Sequence, residues 1–226
     1  MAFSTIIKPS DYFNTKLWSG NSSTQAITGI GFAPDMVWGK QRTGTESHQL
    51  LDIIRGANNI LIPNTVAAAL ADSQILNSFD SDGYTLGSQN QLNDTGYNYV
   101  GWNWKANGLG SSNTDGSINT TYTSANTTSK CSIVKWVGTG ANATVGHGLG
   151  VAPSSVWVKN LNEGEDWTVW HKGLAGTHCL VLNSTAGDAN GGAGPWNSTI
   201  PDEDVFSIGT WNSTNKASSN MIAYVF

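Results

Sequence analysis

The chain has 226 residues, a net charge of −5 at pH 7, and only 12% charged residues, about half the usual share. It has no basic run and no cluster of Arg among aromatics to neutralise a phosphate backbone, which argues against a nucleic-acid partner. No window approaches a membrane span, and the first nine residues lack a basic region followed by a long apolar run, so the expectation is a soluble protein made in a cytoplasm.

Gly, Ser, Thr and Asn are abundant and there are 10 Trp, a turn-rich and strand-rich profile without the Ala/Glu/Lys/Leu bias of helical proteins. Ser4 to Asn14, with Ile6, Ile7 and then Pro9-Ser10-Asp11, reads as an arm or first edge strand followed by a turn. Gly20-Asn21-Ser22-Ser23 between Leu17-Trp18 and Ala26-Ile27 is a hairpin signal. Pro34 pins the chain before a strand from Met36 to Lys40, with Met36 and Trp38 on one face and Val37 on the other. His48 to Arg55 is too short and too β-branched for a helix and is read as a strand. Asn64 to Ala71 is the one segment with good helix propensity, at most two turns behind an Asn or Thr cap. Strands Ile75 to Phe79 and Tyr84 to Gly87 straddle the turn Asp80-Ser81-Asp82-Gly83, and Tyr97 to Trp104 follows.

Beyond residue 106 the pattern starts again. Gly29-Ile30-Gly31-Phe32-Ala33-Pro34-Asp35-Met36-Val37-Trp38-Gly39-Lys40 matches Gly148-Leu149-Gly150-Val151-Ala152-Pro153-Ser154-Ser155-Val156-Trp157-Val158-Lys159 at an offset of 119 (153 − 34). Trp18-Ser19-Gly20 matches Trp136-Val137-Gly138 at 118 (136 − 18), and Tyr84 to Gly87 matches Phe206 to Gly209 at 122 (206 − 84). Val100 to Trp104 matches Ile222 to Phe226 at the same 122 (222 − 100). Several blocks in step separate a true repeat from one recurrent turn. The expected organisation is a first repeat over residues 1–106 with an N-terminal arm, a Gly/Ser/Thr/Asn-rich linker over 107–129 that is partly strand around Ile118 to Thr123, and a second repeat over 130–226.

About seven short strands per repeat, punctuated by Gly and Asn turns, predict an all-β fold of two tandem antiparallel β-sandwich units of jelly-roll or lectin-like kind. A buried Trp removes about 150–250 Å² from water, worth several kcal/mol at about 25 cal/mol per Å². Trp18, Trp38, Trp102, Trp136, Trp157 and Tyr224 are therefore the expected structural core. Cys131 and Cys179, in apolar strand-like runs, are expected to be buried reduced thiols.

The runs Gly31 to Trp38, Arg55-Gly56-Ala57-Asn58-Asn59, Phe79 to Gly87 and Thr144 to Pro153 resemble modules in structural proteins of marine tailed bacteriophages, known chiefly as domains of unknown function or as lectin-like tail or fibre proteins. The resemblance spans nearly the whole chain. It implies a virion component assembled in the host cytoplasm, and offers no catalytic residues to carry over. Such fibres are often longer, with an attachment region and a trimeric shaft. A module that begins near Met1 leads instead to the expectation of a free-standing part docked on a capsid or tail surface.

Residues that could carry chemistry are few. Glu163-Gly164-Glu165-Asp166 and Asp202-Glu203-Asp204 could supply paired carboxylates for glycoside hydrolysis; both are read as loops without counterparts in the first repeat. Asp80-Ser81-Asp82-Gly83 is a fragment of a calcium loop lacking the later Glu, and reads as a hairpin turn. His171 and His178 match no known metal spacing, and His147, in Gly146-His147-Gly148-Leu149-Gly150, reads as a turn or packing residue. No metal and no cofactor is expected.

Trp167, Trp170, Trp196 and Trp211 have no partner in the other repeat. They are the candidate binding residues, each either covering a core edge or presenting a platform to a sugar or a partner chain. The first expectation is a non-enzymatic virion structural protein acting by protein contacts with capsid or tail proteins, with assembly into a homo-oligomer or lattice favoured by exposed β edges. The alternative is a receptor-binding, glycan-binding adhesin module of a tail fibre using the unpaired Trp residues. A polysaccharide hydrolase is a weaker alternative.

Overall fold

The computed structural model describes residues 6–226; residues 1–5, the start of the expected arm, lie outside the described part. The chain divides into two compact units, one running through Ile62 and then Ala69–Gly108, the other comprising Pro63–Ala68 and Leu109–Phe226.

The first unit holds β1 (Phe13–Ser19), β2 (Gln25–Thr28), β3 (Met36–Gln41), β4 (Gln49–Asp52), β5 (Asn59–Ile60), β6 (Leu70–Ala71), β7 (Leu76–Asp80), β8 (Gly83–Leu86), a single helical turn α1 (Asn90–Asn93) and β9 (Asn98–Trp104). They form a four-stranded sheet ordered β1-β9-β3-β4, a three-stranded sheet β2-β8-β7 and the short pair β5-β6. All these pairings are antiparallel. One apolar cluster draws Trp18, Val37, Leu51 and Tyr99 from the larger sheet and Ile27, Leu76, Tyr84 and Leu86 from the smaller. Trp18 stacks on Tyr99 at 5.6 Å and meets Tyr84 edge-on at 6.1 Å, and its indole N–H donates to the Leu92 carbonyl.

The second unit holds β10 (Tyr122–Asn126), β11 (Cys131–Val137), β12 (Ala143–Gly146), β13 (Ser155–Asn160), β14 (Thr168–His171), β15 (His178–Val181), β16 (Ala189–Asn190), β17 (Val205–Ile208), α2 (Asn212–Asn215) and β18 (Asn220–Val225). Its seven-stranded sheet is ordered β10-β11-β18-β13-β14-β15-β16, with β12-β17 as a separate pair. The run β11-β18-β13-β14 has the order that β1-β9-β3-β4 has in the first unit. Its core cluster takes Val134, Trp136, Val156, Val158, Trp170, Ala223 and Val225 from the large sheet and Val145, Phe206 and Ile208 from the pair. Trp136 meets Phe206 edge-on at 5.7 Å.

Two fully buried asparagines, Asn93 and Asn215, tie a loop to the sheets in each unit. In the first, the Asn93 amide donates to the carbonyls of Ser23 and Gly87, while its oxygen accepts from Asn21 N–H. In the second, Asn215 donates to the Ala141 and Gly209 carbonyls and accepts from Thr139 N–H. Gly20 and Gly138 pass so close behind these turns that a Cβ would stand 2.2 Å from the Asp94 and Lys216 carbonyl oxygens respectively.

Several expectations need correction. Asn64 to Ala71 is not helical: Pro63 and Asn64 turn, residues 66–69 are irregular, and Leu70–Ala71 is β6. An Ala run shorter than a stable helical nucleus, without an apolar stripe to bury, has propensity but no packing to realise it. Gly20 to Ser23 is not a hairpin, because β1 pairs with β9 and β2 with β8. That turn instead carries the chain from one sheet to the other, held by Asn93. His48 to Arg55 forms a strand only as far as Asp52. Ile7 is 99% exposed and in no strand. Asp202-Glu203-Asp204 does have a counterpart: Asp202 and Asp204 stand 122 after Asp80 and Asp82 (202 − 80), and both turns lead into the strands β17 and β8.

The core expectation divides by strand face. Trp18 and Trp136 point into the two clusters, but Trp38, Trp102 and Trp157 alternate onto the other face and are half-buried. Trp38 donates its indole N–H to His48 Nδ1, and Trp157 donates to Ser155 Oγ. Tyr224 is fully buried on that other face, stacked at 6.2 Å on Trp167. Cys131 and Cys179 are both buried, and neither is in a disulfide.

Candidate functional site

The second unit carries a cleft of about 420 Å³ lined by Glu165, Asp166, Thr168, Val181, Thr210, Trp211, Asn212 and Ser213. Three segments make it: the chain entering β14, Val181 at the end of β15, and the turn entering α2. A buried hydrogen bond of 2.8 Å from Thr168 Oγ1 to Ser213 Oγ joins the first to the last, and Asn160 Nδ2 donates to the Asn212 carbonyl.

Trp211 forms one rim and is 37% exposed. Its N–H donates to the Gly194 carbonyl, and its own carbonyl accepts from the N–H groups of Thr214 and Asn215 in α2. The indole lies against the backbone of Gly191 and Gly194. A Cβ on Gly194 would stand 2.0 Å from the indole nitrogen, and one on Gly191 2.7 Å from Cη2. The Gly-rich stretch before Trp196 is therefore a bed that only residues without side chains could provide. In the first unit the residue before the matching helical turn is Gln89, whose side chain bonds Asp72 and Asn90, so no aromatic stands there.

Glu165 and Asp166, from the loop before β14, also line the cleft. Lys159, fully buried, fixes that loop by donating from Nζ to the carbonyls of Val66, Glu163 and Glu165. Burial pulls its ammonium down to about 8, with Glu165 and Asp166 acting in the opposite direction. Glu163 faces away into an ion pair with Lys216. Asp166 Oδ1 accepts from Asn183 Nδ2 at 2.8 Å, whereas the Glu165 carboxylate makes no hydrogen bond or ion pair among the described residues. An exposed aromatic face beside carboxylates and a hydroxyl-lined floor can stack on one face of a ring and accept hydrogen bonds from its edge.

Of the four Trp residues without a counterpart in the other half of the sequence, the structure brings only Trp211 to this cleft. Trp167, Trp170 and Trp196 are between 0% and 4% exposed and cannot act as contact platforms. Trp170 alternates inward along β14, Trp196 folds under with Pro195 into the core cluster, and Trp167 lies against Tyr224. Polar neighbours in sequence suggested exposure for Trp196; tertiary packing of the loop overrides them. Sequence reasoning missed Thr168, Thr210, Asn212 and Ser213. The usable signal was the change from Gln89 to Trp211 at matching positions.

A second cleft, about 560 Å³, is lined by Gly150, Val151, Ala152, Asp202, Glu203 and Asp204. His147 is fully buried beneath it. Its Nε2 bonds the Asp202 carbonyl, its Nδ1 accepts from Leu149 N–H, and its backbone N–H donates to the Asp204 carbonyl. Burial holds this imidazole below its ordinary value, so it is neutral and structural. The Asp202 carboxylate caps the N–H groups of Val205 and Asp204, which lower its pKa. In the first unit the Asp82 carboxylate likewise accepts from Gly29 and Gly31 N–H, and Asp80 from Ser78 and Thr85 hydroxyls. Their oxygens are engaged in the turn. Among the described residues no three His, Cys, Asp or Glu side chains form a metal-binding group; His171 and His178 bond locally to Gly173 and Thr177.

Residues 8–226 match the family described as a domain of unknown function, DUF7483, and the chain belongs to that family. No curated protein and no solved structure matches it.

Proposed function

We propose that this member of the DUF7483 family is a non-enzymatic glycan-binding module, with its binding site in the Trp211 cleft. The observation that carries the reading is the Trp211 indole, seated on glycine backbone and partly exposed in a cleft that Glu165 and Asp166 also line. Such an arrangement offers an apolar aromatic face for stacking on a pyranose ring, together with carboxylate acceptors for sugar hydroxyls. The two units are copies of one antiparallel β-sandwich module. Supporting this are the sequence offsets of 118 to 122 (136 − 18, 206 − 84), the common strand order, and the matching Asn93 and Asn215 networks. The second copy is the one adapted for binding.

A glycan array followed by calorimetry on the best hits tests this. Trp211→Ala is expected to abolish binding while the chain stays folded; binding unchanged in that variant refutes the assignment.

The resemblance of the quoted runs to phage structural modules favours a second statement, that the module works on a virion, at the capsid or tail surface. Quantitative mass spectrometry of purified particles tests it. Copies matching the capsid lattice mean a decoration protein, a few copies mean a tail or fibre part, and absence of the chain overturns the virion reading.

A further inference from the structure

We infer that the sugar held by the Trp211 cleft carries a protonated amine, as in a glucosamine unit whose nitrogen is not acetylated; this rests on the glycan-binding reading above. The charged side chains lining the cleft are Glu165 and Asp166 alone. Two lysines bonded to the same loop, Lys159 and Lys216, are both occupied. Lys159 directs its ammonium to the carbonyls of Val66, Glu163 and Glu165, behind the loop. Lys216 is paired with Glu163, which is not part of the lining. The Glu165 carboxylate makes no hydrogen bond and no close ion pair among the described residues, Asp166 has the one Asn183 bond to Oδ1, and the buried Lys159 ammonium acts on both through space only.

Each component selects in the same direction. An indole face attracts a cation through its ring quadrupole, and the lining carboxylates accept charge-assisted hydrogen bonds from an ammonium at roughly twice the strength of neutral ones. A sulfated or uronic-acid sugar would place its negative charge against the same two carboxylates, with no lining cation to receive it. The cleft thereby discriminates by repulsion as well as attraction.

The cleft is open to solvent, so each ammonium–carboxylate pair is screened and contributes modestly. Two such pairs together with the indole face lead us to expect about ten-fold tighter binding of the amine than of its N-acetyl counterpart.

The test uses the full chain and three tetrasaccharides of equal length, made of glucosamine, N-acetylglucosamine and a uronic acid, titrated calorimetrically at a pH where the amine is protonated. Wild type is expected to prefer the glucosamine tetramer about ten-fold and to bind the uronate least. The preference is expected to shrink at about 1 M salt, where the screening length falls to about 3 Å. The double variant Glu165→Gln, Asp166→Asn is expected to bind the two amino-sugar tetramers within about two-fold of each other. Because both changes lie in a loop and preserve shape, retained binding of the N-acetyl tetramer reports that the cleft is intact. Equal binding of both amino sugars by wild type, or tighter binding of the uronate, overturns the amine assignment and leaves glycan binding standing. If no sugar binds here or on the array, both readings fall.

Discussion

Replacing Arg55 with Met takes the cation out of an ion pair whose side chains are only 3% and 0% exposed, Arg55 and Asp52. The guanidinium Nε donates to Asp52 Oδ2 at 2.5 Å, and its two terminal nitrogens reach the carbonyls of Asn59 and Leu50. Leu50 keeps a second donor in Leu61 N–H, so the loss concentrates on the Asp52 carboxylate and the Asn59 carbonyl. Leaving a buried charge without its counter-ion costs about 3–5 kcal/mol, whereas removing both charges together can be near neutral. Urea denaturation should therefore show Arg55→Met destabilised by about 3–5 kcal/mol. For a chain of this size each kcal/mol lowers Tm by about 2–4 °C, so the drop should be at least about 6 °C. Arg55→Lys keeps the charge but not the three-way fork, and should fall between. The double variant Asp52→Leu, Arg55→Met should recover most of the loss. An Arg55→Met effect below about 1 kcal/mol, or a double variant as unstable as the sum of its singles, would refute the assignment of this pair as two buried charges that compensate each other.

Three further outcomes follow from the geometry. Trp196→Ala should cost about 3–5 kcal/mol in chemical denaturation, the range for deleting a buried aromatic, in contrast with the half-exposed Trp211. Asn215→Asp keeps the acceptor for Thr139 N–H but turns oxygen toward the Ala141 and Gly209 carbonyls; a loss of about 2–4 kcal/mol is expected, against little change for a surface Asn. His147 has its folded-state pKa held below the unfolded value of about 6.5 by burial,. As pH falls below that value the unfolded chain gains a proton that the folded chain refuses, and stability drops by up to about 1.4 kcal/mol per pH unit. His147→Gln should flatten the stability profile between that pH and the lower folded-state value; an unchanged slope there would count against a neutral buried imidazole.

How much was readable in advance varies with how local the cause is. The strand at Met36 and the Asp80-to-Gly83 turn were legible because alternation and turn chemistry act within a few residues. The helix expected at Asn64 and the hairpin expected at Gly20 failed because each signal was local and its outcome was not. What decides Gly20 to Ser23 is Asn93, some seventy residues later. No composition rule marks an isolated Asn as a buried clamp.

The candidate site follows the same logic more sharply. Glu165 and Asp166 stood out as acidic and Trp211 as an unpaired aromatic, but nothing local says that these loops share a cleft while the equally conspicuous Trp196 turns inward. Comparing the two halves does carry part of that information. Where they agree, at Asn93 and Asn215, at Gly20 and Gly138, or at Asp80 and Asp202, the residues serve the turns, the asparagines and Asp202 by holding backbone groups and Asp80 by holding two hydroxyls. Where they differ, with Gln89 against Trp211, the scaffold has no use for the change: Gln89 is spent on Asp72 and Asn90, while Trp211 leaves an indole exposed over a bed of glycines. Agreement between the two halves thus marks residues that hold the common strand order, because a side chain required by that framework recurs in both.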